Sequence, residues 1–162
     1  MSILARHPLR ASATVLLALS ILQDQAQATP PAPTQAIRQT LARYEAALNA
    51  GDTSAIVGLY TADGVQMAPD APAAVGSAAV RAAYEGTFKA IALNLHFNVD
   101  EVTLLGRDRA LLRTHSDGTL KVNGTTQPAG PAAFKELFLL QREANGQWLF
   151  THYSFSAAPV KP

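Results

Sequence analysis

The sequence predicts an α+β domain: three N-terminal helices packed on a curved antiparallel sheet, closed into a cone. Two observations carry this. Up to about residue 88 apolar residues recur at helical spacing, and from Leu93 onward the chain changes to four strand-like runs at about 93–105, 109–122, 132–144 and 147–157. Between those runs lie turn signals, Gly106-Arg107-Asp108, Asn123-Gly124 and Asn145-Gly146, and the short connections imply an antiparallel meander. The helices must then cover one face of the sheet, which leaves the open end of the cone as a natural ligand cavity.

Residues 1–28 read as a secretory signal peptide. Arg6, His7 and Arg10 precede an apolar run from Ala11 to Leu22, and Ala26-Gln27-Ala28 is a small-x-small cleavage site. The run is shorter than the ~18–20 residues a membrane span needs. A periplasmic or secreted location is therefore expected. Residues 29–33 (Thr-Pro-Pro-Ala-Pro) form a stiff lead-in, and 34–158 the folded domain.

In the first helix, Thr34 is the expected cap, and Ile37, Leu41, Tyr44 and Leu48 share one face. Asn49 to Gly51 stops it. Asp52 caps a shorter second helix that buries Ile56, Leu59 and Tyr60. Asp63-Gly64 leads into a short strand at 65–68, and a proline-rich bend follows from Pro69 to Pro72. Ser77 is the expected cap of a third helix that carries Val80, Tyr84 and Phe88. Asp117-Gly118, inside the second long strand, suggests a bulge.

Without residues 1–28 the chain loses Arg6, Arg10 and Asp24, and basic and acidic residues balance. A neutral chain without basic clusters argues against nucleic acid or an anionic membrane surface as partner. The absence of cysteine excludes disulfides, thiol catalysis and cysteine-ligated zinc. No Gly-x-Gly-x-x-Gly occurs, and no cofactor is expected. His96, His115 and His152 have no close ligand spacing, so no metal site is expected.

Tyr44 is the best single pointer to a pocket, because a phenol on an apolar helical face needs a partner or a cavity. The surrounding residues carry a resemblance. Arg43-Tyr44-x-Ala46-Ala47-Leu48-Asn49-Ala50-Gly51-Asp52, then Ile56-Val57-x-Leu59-Tyr60-x-x-Asp63, Pro69, Asn145-Gly146-x-Trp148 and His152-Tyr153-Ser154-Phe155 resemble the nuclear-transport-factor-2-like superfamily. Within it the chain is most similar to SnoaL-like and SgcJ/EcaC-type proteins and to ketosteroid isomerase. That enzyme holds an oxyanion with a tyrosine and a protonated aspartic acid, while a second aspartate moves the proton. The resemblance sets the tyrosine on Tyr44, the base on Ala68 and the acid near Phe138. An alanine cannot abstract a proton, so isomerisation by that route is not expected. Asp70, just past Pro69, could substitute only if its loop folds inward.

The same match sets Leu111, Arg113, His115 and Asp117 on the cavity side, where they would bind a polar ligand or act as an acid/base pair; the alternative is a solvated outer face. It also sets Leu149, Thr151, Tyr153 and Phe155 toward the cavity, with His152 opposite. His96 and Asn98 read as outward. Tyr60 and Met67 either line the cavity or belong to ordinary core. The consecutive Leu137 to Leu140 leave apolar surface on the convex face, through which relatives often pair, so a homodimer is expected. The expected function is binding of a small, mostly apolar molecule in the cone, with Tyr44 holding an oxygen. The alternatives are an isomerase or lyase using Tyr44 with His115 and Asp117 or Asp70, and a non-catalytic dimerisation module.

Overall fold

The computed structural model describes residues 31–160, so the expected signal peptide and the start of the lead-in lie outside the described residues. The element order is α1 (Pro33–Ala50), α2 (Thr53–Val57), β1 (Tyr60–Met67), β2 (Ala74–Val75), α3 (Ser77–Ala90), β3 (Ile91–Leu104), β4 (Arg109–Val122), β5 (Gly130–Arg142) and β6 (Trp148–Ala157). One six-stranded sheet has the order β2-β1-β6-β5-β4-β3. The meander runs antiparallel from β3 to β6, and β1 joins β6 in parallel.

α1 begins with Pro33, whose missing N–H costs nothing in the first turn, so Thr34 does not cap it. The helix ends at Gly51, whose φ of 66° lets its N–H reach the carbonyls of the last turn. Ile37, Leu41, Tyr44 and Leu48 are all buried, as their spacing requires. Asp52 does cap α2, accepting from the Ala55 N–H at 2.9 Å. α2 is only five residues long, and Tyr60 opens β1 instead of continuing the helix. Gly76, not Ser77, occupies the cap position of α3.

α1 also covers the free edge at β3. The Asn49 amide donates to the Leu95 carbonyl and accepts from the Leu95 N–H, both at 2.8 Å. Glu45 accepts from the Phe97 N–H at 2.8 Å. Two side chains thus stand in for a neighbouring strand.

The sheet bends at places the sequence only partly marks. Asp117 and Gly118 pair in regular register with β5, so no bulge lies there. Gly118 is still required: its φ is +154°, and a Cβ would lie 2.0 Å from the Asn94 carbonyl oxygen. Register shifts lie at Asp100 of β3, at Thr151 of β6 and between Tyr60 and Val65 of β1. The core between helices and sheet is aromatic. Tyr44 meets Phe97, Phe138, Phe150 and Tyr153 edge-on, with ring centroids 5.5–5.8 Å apart, the geometry favoured by ring quadrupoles.

Candidate functional site

A cavity of about 150 Å³ lies inside the cone. Its buried floor is Tyr44 from α1, Gln66 from β1, Tyr84 from α3, Glu136 from β5 and Tyr153 from β6. Half-buried Ile91, Leu93, Leu120, Phe134 and Phe155 form its apolar rim.

The chain has four tyrosines, and all four meet here. The Tyr84 hydroxyl shares hydrogen bonds with Tyr44 at 2.9 Å and with Tyr60 at 3.1 Å. Tyr153 stacks on Phe138 at a centroid distance of 4.3 Å. Burial is the main cause that raises every one of these phenols. Tyr84 is pushed up to about 12, the hydrogen bonds from Tyr44 and Tyr60 working against the burial. Tyr44, Tyr60 and Tyr153 are raised well above the usual value, with neighbouring acidic groups adding to burial. At neutral pH the cluster is a set of uncharged donors, not a base.

Glu136 is the carboxyl of the cavity, on a residue only 4 % exposed. Thr114 donates to one oxygen at 2.6 Å, and Ser116 donates to the other in a short bond. Burial raises its pKa, partly opposed by those two hydroxyls. A carboxyl moved toward neutrality beside neutral phenols can exchange a proton with a bound molecule.

Of the residues singled out from sequence, Tyr44, Tyr153 and Phe155 line this cavity. Tyr60 reaches it through Tyr84, and Phe138 packs behind Tyr153. The others lie elsewhere. Arg113, His115 and Asp117 are exposed on the outer face of β4, whose inner face carries Ala110, Leu112, Thr114 and Ser116. The physical reason is charge: three ionisable groups stay hydrated while small and apolar residues are buried. Outside, Arg113 pairs with Asp100 at 3.0 Å and Glu101 at 3.3 Å, His115 with Asp100 at 2.8 Å, and Asn98 donates to Asp117 at 3.1 Å. The sheet separates His115 and Asp117 from Tyr44, so they are not its acid/base pair.

Met67 also points out, because Gln66 takes the inner phase of β1. Asp70 is exposed in a turn at a φ of 57° and does not line the cavity, so its loop does not fold inward. On β6 the shift at Thr151 puts Trp148 and Phe150 inward before it and Tyr153 after it, which turns Leu149 away from its expected side. His152 and His96 are exposed, as expected.

Glu136, Gln66 and Tyr84 line the cavity without being among the residues expected there. Glu136 had a usable signal: it is the lone acid in the alternating set Phe134, Glu136, Phe138, Leu140. Among the described residues no cluster of histidine, cysteine or acids suits a metal ion.

Helices closing a curved sheet over a phenol-lined cavity define an α+β cone of the pocket-bearing kind. Residues 41–150 match the SnoaL-like domain, and the chain belongs to that family. It is similar to a ketosteroid isomerase-like protein from Erwinia carotovora atroseptica SCRI1043, with 32 % identity, a TM-score of 0.73, and coverage of 78 % of this chain and 96 % of that one. Two more distant structures share the fold. One is an NTF-2 like protein of unknown function from Shewanella oneidensis MR-1, with 22 % identity, a TM-score of 0.60, and coverage of 77 % and 99 %. The other, from Novosphingobium aromaticivorans DSM 12444, is provisionally named a scytalone dehydratase, with 16 % identity, a TM-score of 0.68, and coverage of 78 % and 84 %. No curated protein matches the sequence.

Proposed function

We propose that this protein binds a small, mostly apolar molecule in the cone, with the phenol chain holding an oxygen of the ligand. The observation that carries the reading is the convergence of Tyr44, Tyr84, Tyr153, Gln66 and Glu136 on one largely apolar cavity. Pockets of this composition orient a ligand through few polar groups. A melting-temperature screen over uncharged ring compounds tests it. Binding gives a dose-dependent rise that Tyr44→Phe reduces; no rise with any compound contradicts it.

A second reading, a cofactor-independent isomerase or lyase, is favoured by Glu136. The position that the resemblance gives to a base is Ala68, and Glu136 is instead the carboxyl that lines the cavity. In this reading Glu136 moves the proton and Tyr44 steadies the developing oxyanion. The dehydratase name given to one structural neighbour is compatible with that chemistry. Export through residues 1–28 and pairing through the outer sheet face, where Leu137 is 42 % exposed, complete the proposal.

A further inference from the structure

Three properties of the cavity narrow its ligand, given the binding function proposed above. The first is volume. About 150 Å³ is room for one benzene-sized ring. The four fused rings of a steroid do not fit inside it.

The second is charge. Glu136 lines the cavity, and no lysine, arginine or histidine does. An anion would enter beside an acidic group with no cation to pair with, and an unpaired buried charge is strongly disfavoured. Both hydroxyls that reach the acid, Thr114 and Ser116, come from the neighbouring strand β4 of the same sheet, and neither carries a charge.

The third is the hydrogen-bond inventory. Gln66, a residue 5 % exposed, lines the cavity. Among the described residues no buried side-chain polar atom lacks a partner, so its amide, which is in no hydrogen bond there, keeps accessible surface in the cavity. An amide open to the cavity is free to pair with a bound molecule, and Gln66 offers both donors and an acceptor. The linked phenols add a donor. Each hydroxyl has one proton, and a chain of hydroxyls uses one fewer proton than it has members.

From volume, charge and the amide open to the cavity we infer that the cavity takes an uncharged single six-membered ring bearing one oxygen, such as a phenol or a cyclic enone. The oxygen is held by Gln66 and the phenol chain. The ring lies among Leu93, Leu120, Phe134 and Phe155.

Calorimetric titration of the full chain with phenol, 2-cyclohexenone, benzoate and progesterone tests this. Phenol and 2-cyclohexenone should bind saturably, with benzoate and progesterone at least about tenfold weaker, a difference of about 1.4 kcal/mol. Gln66→Leu should weaken phenol by a similar factor while leaving a cooperative melting transition. Benzoate or progesterone binding as tightly as phenol would overturn the size-and-charge inference and leave the binding function standing. Phenol binding unaffected by Gln66→Leu would overturn the role of the amide. Failure of all four compounds to bind would overturn both the inference and the binding function.

Discussion

The hydroxyl of Tyr84 is the middle of a chain, with Tyr44 on one side and Tyr60 on the other. Removing one end, as in Tyr44→Phe, leaves Tyr84 still bonded to Tyr60. The cost should be about 1 kcal/mol, the net worth of one hydrogen bond, read from urea denaturation. Because all four tyrosines have raised values, the folded protein should show little phenolate absorbance at about pH 10 to 11, where free tyrosine ionises. The sign follows by linkage. Neutral phenols stabilise the fold fully below the unfolded value, and that contribution is lost as pH rises through the folded values. Alkaline titration should therefore release phenolate and unfold the chain together. Glu136 acts in a lower range with the same sign, since its folded pKa is also raised. Its protonated form favours the fold below about pH 4.3, and this is lost as pH rises through the folded value. Glu136→Gln should thus melt higher than the unaltered protein at about pH 7, with the gap closing toward about pH 4.

At the scale of elements, turns were legible and strand phase was not. Asn123-Gly124 and Asn145-Gly146 mark β4–β5 and β5–β6, and both hairpins form around them. Strand phase depends on counting by twos, and one extra residue reverses it. Thr151 is such a residue on β6, with no glycine or proline to announce it. On β4 the hydration cost of Arg113, His115 and Asp117 pointed to the observed phase, and the match to relatives pointed to the other. Glu136 shows why a site residue can be missed: a single acid among alternating aromatics looks like an edge charge until Thr114 and Ser116 are seen beside it on β4. Two substitutions probe the elements. Gly118→Ala places a Cβ against the Asn94 carbonyl and should cost about 3 kcal/mol or more in a denaturant midpoint shift. Asn49→Ala uncovers two backbone groups of Leu95 at the β3 edge and should cost about 1–3 kcal/mol.

For the whole molecule, three helices and a bent sheet do one thing together. They bury four phenols and an acid around a space that protein atoms do not fill. The outer sheet face is different, with the Arg113–Asp100 ion pair beside exposed Leu137. Light scattering at micromolar concentration should give a dimer mass, and Leu137→Asp should shift it to a monomer without lowering the melting temperature; a monomeric starting protein would contradict pairing through this face. Since every tyrosine belongs to the cluster, fluorine NMR of protein labelled with 3-fluorotyrosine reports on that site alone. Titration with phenol should move the Tyr44 and Tyr153 resonances saturably and together, with one binding constant. A well-dispersed spectrum in which no tyrosine resonance moves, with phenol or with 2-cyclohexenone, would contradict binding in the cone.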